Sequence, residues 1–280
     1  MVISGLLSGV TKSLSEGGIE NARFEAGYLV GFVLKLSQTE LILNKDSSVS
    51  ADDQKNVFAL VKRRISGEPF QYILGSQEFM GLEFAVTPDV LIPRQDTEIL
   101  AEFILRNTES CPLSVLDIGT GTGCIPISLA HFNPNFNCTG IDISENAIAV
   151  AQKNAETLNV SDRVRFEICD ILNGFPKQKF DIAVSNPPYI KSAVIPTLQT
   201  EVRDFEPYLA LDGGADGLKF YRRICDIAPN ILKIGGLLAF EIGFDQADDV
   251  ASLMKKNFDN IKVTKDLLQN DRVVSGYLRQ

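Results

Sequence analysis

Histidine is almost absent. The 280-residue chain holds one, His131, which excludes a His-rich metal site and a His-based catalytic triad. Cysteine is sparse and unpatterned: Cys111, Cys124, Cys138, Cys169 and Cys225 are odd in number and form no C-x-x-C pair. Such thiols read as reduced and mostly structural, and the expected compartment is the cytoplasm. No apolar run approaches the ~20 residues that cross a bilayer. Residues 1–10 lack a basic stretch followed by a long apolar core, so no signal peptide is expected. Basic charge is not in excess. The net charge of −9 disfavours long-range attraction to nucleic acid, although a local basic patch is compatible with that sum.

What is present falls into three parts. Residues 1–66 read as helical: Ile19, Ala22, Ala26, Leu29, Val30, Phe32 and Val33 recur at helical spacing. Ser50, followed by Asp52 and Asp53, starts a helix that carries Val57, Phe58, Leu60 and Val61 inward and ends near Gly67. No titratable cluster is expected there, and a small bundle is the reading. Phe70-Gln71-Tyr72-Ile73-Leu74-Gly75 and Leu82-Glu83-Phe84-Ala85-Val86 read as short strands around the turn Phe79-Met80-Gly81. After Pro93-Arg94-Gln95, either Asp96 or Thr97 can cap a helix through Ile99, Leu100, Phe103 and Ile104. From about residue 112, strands at 114–118, 137–142, 164–169, 180–185 and 235–242 alternate with helices at 123–132, 145–157, 216–232 and 246–257. This is the pattern of an α/β fold with a parallel sheet and helices on both faces. Strands at 260–265 and 272–279 close the chain as a hairpin.

Two loops carry chemistry. The strand Val115-Leu116-Asp117-Ile118 runs into Gly119-Thr120-Gly121-Thr122-Gly123 and then an apolar helix. A glycine loop there allows a ligand close to the backbone, although tight strand-to-helix turns also use glycine for steric reasons. The next strand ends at Asp142, placed for a ribose diol, or alternatively for a helix cap with Ser144. Asp170 ends the strand after that and suits an adenine amino group. The spacing G-x-G-x-G departs from the G-x-G-x-x-G of dinucleotide binders, which disfavours a dehydrogenase. The second loop is Asn186-Pro187-Pro188-Tyr189, where two prolines stop a buried strand. Asn186 Oδ1 and the Pro187 carbonyl are acceptors that suit a substrate NH2 group, with the Tyr189 ring beside it.

Together these residues resemble a class I S-adenosylmethionine-dependent methyltransferase. A closer resemblance is to the HemK/PrmC family of peptide chain release factor glutamine methyltransferases. It is carried by Glu68-Pro69-Phe70-Gln71-Tyr72-Ile73-Leu74-Gly75, Leu91-Ile92-Pro93-Arg94-Gln95-Asp96-Thr97-Glu98, Glu201-Val202-Arg203, Phe205-Glu206-Pro207, Glu241-Ile242-Gly243 and Asp271-Arg272-Val273-Val274. Gln95 departs from the second proline usual in that family. The resemblance implies a bundle over 1–67 that docks a release factor, a β-hairpin linker over 68–95, and a catalytic domain over 96–280 with a seven-stranded, mostly parallel Rossmann-like sheet. It implies S-adenosylmethionine bound by Asp117, Gly119, Thr120, Gly121, Thr122, Gly123, Asp142, Asp170, Ile171 and Asn186. Substrate binding falls to Asn186, Pro187, Pro188 and Tyr189, and catalysis to Asn186, Pro187 and Tyr189. The substrate implied is the glutamine of a release factor Gly-Gly-Gln motif, methylated by a monomeric enzyme without metal, membrane or stable nucleic-acid binding.

In that scheme Asn186 Oδ1 and the Pro187 carbonyl each accept a substrate N–H, and Tyr189 stacks on the amide. Arg94 holds an ion pair or lines the substrate entrance. Glu241 faces the site or makes a structural hydrogen bond. The rival readings are an amino methyltransferase of adenine or cytosine in nucleic acid, and a non-catalytic protein that keeps the nucleotide fold.

Overall fold

The computed structural model describes residues 1–108 and 112–280, which form two compact units. Cys111 lies outside the described residues. One unit comprises residues 1–75 and 199–205; the other comprises 76–198 and 206–280. Among the described residues no helix is long and apolar enough to cross a membrane.

The first unit contains α1 (Ile3–Glu16), α2 (Ala22–Leu34), α3 (Gln38–Leu43), α4 (Ala51–Ile65) and α5 (Phe70–Leu74). α1 buries Ile3, Leu6, Val10 and Leu14, one stripe at helical spacing. Ser37 and Glu40 close a capping box on α3. The Asp53 N–H donates to Ser50 Oγ at 3.0 Å, the start expected for α4. Val57, Val61 and Arg64 share the inner face of α4. Phe58, expected inside, lies about 100° round the helix and is exposed. Phe32 is likewise exposed.

Two expectations for this region fail. Phe70–Leu74 is a helical turn rather than a strand, because Pro69 starts it and Gly75, at φ +78°, stops it. A charged cluster does exist. Arg64 Nε reaches Glu25 Oε2 at 2.7 Å, and Arg64 Nη1 reaches Glu201 Oε1 at 2.8 Å and the Glu68 carbonyl at 3.2 Å. Glu201 belongs to a short helix contributed by the 199–205 segment, which no local pattern connects to residues 1–75.

The second unit begins with a hairpin of β1 (Ser76–Phe79) and β2 (Leu82–Ala85), followed by α6 (Gln95–Asn107). Met80 and Gly81 both have positive φ, the turn that suits hairpin twist. The hairpin is packed into this unit. Phe79 and Phe84 are fully buried edge to face, and Asn154 bonds both the N–H and the carbonyl of Ala85.

The sheet follows: β3 (Leu113–Ile118), α7 (Cys124–Phe132), β4 (Phe136–Asp142), α8 (Glu145–Thr157), β5 (Val164–Ile168) and β6 (Phe180–Ser185). After α9 (Thr200–Phe205), α10 (Tyr208–Leu211) and α11 (Lys219–Ile231) come β7 (Leu232–Glu241), α12 (Ala247–Met254), β8 (Phe258–Lys265) and β9 (Asp271–Leu278). The seven strands lie in the order β5-β4-β3-β6-β7-β9-β8, parallel through β7, with β9 antiparallel between β7 and β8. Successive residues alternate between faces. Leu116, Ala183, Leu238 and Phe240 pack with Tyr221, Ile224 and Ile231 of α11. Val115, Ile182, Val184 and Ala239 pack with Leu100, Ile104, Ile127 and Leu129. The chain builds outward from β3 in one direction and returns to its other side with β6. This reversal falls between β3 and β6, and the carboxyl ends of strands at such a reversal are where α/β sheets bind ligands.

Replacing Arg64 by Ala leaves Glu25 buried without its cation and should destabilise the chain by about 3 kcal/mol in urea unfolding. An unfolding curve matching the parent contradicts the buried-pair assignment.

Candidate functional site

The loop after β3 is built by hydrogen bonds from β4. The Gly119 and Thr120 N–H groups donate to the Ile141 carbonyl at 2.9 and 3.0 Å, and the Gly121 N–H donates to Asp142 Oδ2 at 2.9 Å. The glycines do two different jobs. Gly119 and Gly121 have positive φ, and a Cβ on either would meet open space, so a ligand can lie against the peptide. At Gly123, which starts α7, a Cβ would fall within 3.1 Å of Ile127, Phe166 and Ala151. That third glycine is there for packing. Asn154 Nδ2 donates to the Thr122 carbonyl at 2.9 Å and holds the loop from behind.

Beneath the loop lies Asp117. It is fully buried, and neither carboxyl oxygen has a hydrogen-bond partner. Burial pushes its pKa up to about 7; the charge of Asp142 adds to the rise and the nearby Thr120 hydroxyl opposes it. An orphaned buried carboxyl under an open loop fits a ligand that brings an ammonium group. Asp142 also accepts from the Ser144 N–H at 2.9 Å, while Ser144 itself caps α8. Its carboxylate therefore braces the loop and keeps lone pairs for a diol. Asp170 is less free. Its oxygens accept from the Leu172 N–H at 2.9 Å and from Asn173 Nδ2 at 2.6 Å, a local turn that buries Ile171.

The second half of the site follows β6. Ser185 Oγ donates to the Ile118 carbonyl at 2.6 Å and ties the two strand ends together. Asn186 Nδ2 donates to Thr97 Oγ1 at 2.9 Å. Among the described residues no group donates to Asn186 Oδ1 or to the Pro187 carbonyl. The backbone of Pro188 and Tyr189 is covered by the loop after α10, where a Cβ on Gly213 or Gly217 would strike it. Gln246 Nε2 donates to the Tyr189 carbonyl at 3.2 Å.

Thr97 does not cap α6. The helix begins at Gln95, so Thr97 sits in its first turn and points inward. Its signal was available: Thr97, Leu100, Ala101 and Ile104 share one helical face, and a lone polar residue on an apolar stripe needs a buried partner. Ser185 pairs with Phe240 across the sheet, which sets Glu241 beside Asn186 in the next register position. Burial pushes the Glu241 carboxyl up to about 7; Asp96 adds to the rise, and the Thr97 and Tyr189 hydroxyls and Arg272 oppose it. Burial and the neighbouring Glu241 also push the Tyr189 phenol upward. Arg94 makes its ion pair with Glu206, at 2.7 and 2.6 Å to the two carboxylate oxygens, inside the sheet unit.

Residues 111–274 match a family model described as a methyltransferase domain, and residues 5–75 match the PrmC N-terminal domain. The release factor glutamine methyltransferase of Geobacter sulfurreducens is 44% identical over 94% of this chain and 92% of its own. That of Moorella thermoacetica is 40% identical over 100% of both. This chain belongs to the release factor glutamine methyltransferase family. A crystal structure of a methyltransferase from Pyrococcus furiosus, 19% identical, matches 78% of this chain and 98% of its own with a TM-score of 0.54. At that identity it shows the fold alone. In this family member, the glycine loop, Asp142 and the tetrapeptide lie at the carboxyl ends of β3, β4 and β6, three neighbouring strands of the sheet. Asp170 stands two strands from β3, on the far side of β4.

A carboxyl whose pKa is raised by folding is protonated in the folded chain and ionised in the unfolded one between those two values. It therefore loses stability as pH rises toward the folded value. Asp117→Asn removes this loss at one site. Its stability relative to the parent should rise from pH 5 to pH 8 in urea titrations without cofactor. A parent-to-variant difference that is flat with pH contradicts the buried, protonatable Asp117.

Proposed function

We propose that this chain transfers a methyl group to the side-chain amide nitrogen of glutamine in peptide chain release factors, at a Gly-Gly-Gln motif. The observation that carries the reading is the pair of acceptors at the end of β6, Asn186 Oδ1 and the Pro187 carbonyl, to which no group among the described residues donates. A primary amide offers two N–H groups, which such a pair matches.

The donor is S-adenosylmethionine, which when bound supplies a methyl group on an electrophilic sulfonium. Asp117 would face its ammonium, with Gly119, Thr120, Gly121, Thr122 and Gly123 around it. Asp142 would take the ribose diol; Asp170 and Ile171 would border the adenine. The chain's own residues must deal with a weak nucleophile, because the amide lone pair is delocalised into the carbonyl. Asn186 Oδ1 and the Pro187 carbonyl each accept one N–H. They draw the nitrogen out of conjugation and stabilise positive charge as it develops there. The Tyr189 ring stacks on the carboxamide and holds its plane. Positioning of this kind is worth up to ~7–11 kcal/mol in favourable cases. No histidine base is required; the surplus proton leaves after transfer.

The helical unit serves release factor docking, and the enzyme works as a monomer in the cytoplasm. The unpaired thiols of Cys124, Cys138, Cys169 and Cys225 support that compartment. The nucleic-acid alternative draws no support from the relatives, and the net charge of −9 weighs against it.

Asn186→Ala should lower kcat on release factor at least 100-fold, read by mass spectrometry of the methylated glutamine. Its affinity for S-adenosylmethionine should stay within about threefold of the parent by calorimetry. Turnover at the parent level removes Asn186 from the acceptor role. Asp142→Ala should weaken cofactor binding by ~1.5–3 kcal/mol, the scale of a hydrogen bond to a charged group. Unchanged affinity rejects the ribose assignment.

A further inference from the structure

Proline removes the usual means of holding a chain in place. Between Asn186 and Ile190 only Tyr189 carries an N–H, because Pro187 and Pro188 have none. The backbone of this stretch must be held mainly through its carbonyls, and the Pro187 carbonyl is the one offered to the substrate. Its direction is therefore set by a bond made elsewhere. Both proline rings lock φ and the peptide units are planar, so few soft dihedrals separate the Pro187 carbonyl from the Tyr189 carbonyl. Whatever fixes the second constrains the first.

The Tyr189 carbonyl is taken by Gln246, a side chain 5% exposed that stands just before α12. Gln246 Nε2 donates to the Tyr189 carbonyl at 3.2 Å and to the Gly217 carbonyl at 3.4 Å, and its Oε1 accepts from the Gly243 N–H at 3.0 Å. These partners fix the amide one way round. A backbone N–H only donates and a carbonyl only accepts, so Oε1 must face Gly243 and Nε2 must face Tyr189 and Gly217. One buried side chain thus ties the loop after β6 to the loop after β7 and to the turn before α11. We infer that Gln246 is a positioning residue that holds the tetrapeptide backbone, and with it the Pro187 carbonyl, in the direction of the substrate nitrogen. The inference rests on the acceptor role proposed above for the Pro187 carbonyl.

Two glycines make room for this amide. A Cβ on Gly243 would lie 3.0 Å from Gln246 Oε1. A Cβ on Gly217, at φ +79°, would lie 2.7 Å from Gln246 Nε2 and would collide with the Tyr189 carbonyl. The anchor is itself fixed. The Gln246 N–H donates to the Gly243 carbonyl at 2.9 Å, and its carbonyl accepts from the Val250 N–H at 3.0 Å, in a helix that buries Val250 and Met254. The next residue of the loop is held separately. The Ile190 N–H donates to the Leu211 carbonyl at 3.1 Å, and the Gly213 N–H donates to the Ile190 carbonyl at 2.8 Å. Those bonds secure Ile190, and Gln246 secures Tyr189.

The test compares Gln246→Met and Gln246→Asn with the parent, all in the full chain. Gln246→Met keeps the length of the side chain and removes both ends of the amide. It should lower kcat on release factor about tenfold or more, with KM for release factor and Kd for S-adenosylmethionine within about threefold of the parent. A kcat equal to the parent's, or a cofactor affinity that falls in step with kcat, overturns the inference. If Gln246→Met fails to fold, Gln246→Asn carries the test. Its amide is one methylene too short to reach the Tyr189 carbonyl, and an unchanged kcat there overturns the inference. A parent that leaves release factor unmethylated overturns the proposed function instead, and hydrogen exchange then decides the inference by itself. In either variant the Ile190 and Gly213 N–H groups should exchange about tenfold faster or more. The Cys138 N–H, bonded to the Arg163 carbonyl at 2.8 Å in β4, should keep the parent rate. Parent rates at all three, or equal acceleration at all three, reject it.

Discussion

The hydrogen bond from Asn186 Nδ2 to Thr97 Oγ1 decides what the end of β6 can do. It engages the amide nitrogen from within the fold, and Oδ1 is left without a donor among the described residues. The Pro187 carbonyl beside it is available for a related reason. Proline has no N–H and ends the ladder, so the strand stops with its polar groups still free. A pair of acceptors thus arises from a side chain used on one end only and a backbone that cannot continue pairing.

The same crevice contains two carboxyl groups that folding disfavours. Asp117 and Glu241 are both buried, both carry unpartnered oxygens, and both are pushed up to about 7. They flank the reversal in strand order, one under the glycine loop and one beside the tetrapeptide. Burying a carboxyl with an unpartnered oxygen costs stability, which a domain accepts where the group serves a ligand or a neighbour. Asp117 is buried beneath the glycine loop, suited to a cation bound against that loop. Glu241 ends β7, where the Thr97 and Tyr189 hydroxyls and Arg272 oppose the rise that burial imposes.

Most of the sheet was legible because its signal is local. Apolar runs such as Phe180–Ser185 end at prolines or glycines, and the helices α8 and α11 each bury one face. The glycine loop, Asp142 and the tetrapeptide were legible for the same reason: each marks a strand end. The failures share a different cause. Phe70–Leu74 has strand-like residues, but Pro69 and Gly75 on either side make a turn of helix. The Glu25–Arg64–Glu201 cluster depends on a segment that returns from far along the chain, which no window of sequence reveals. Thr97 was seen, but as a cap. Only the true start of α6 at Gln95 turns it toward Asn186.

The most direct test of the acceptor pair is a crystal structure of the chain with a Gly-Gly-Gln peptide and S-adenosylhomocysteine. The account predicts the glutamine nitrogen at hydrogen-bond distance, about 2.7–3.2 Å, from both Asn186 Oδ1 and the Pro187 carbonyl oxygen. A glutamine seated in the crevice with its nitrogen bonded elsewhere, and those two oxygens still without a donor, would contradict it.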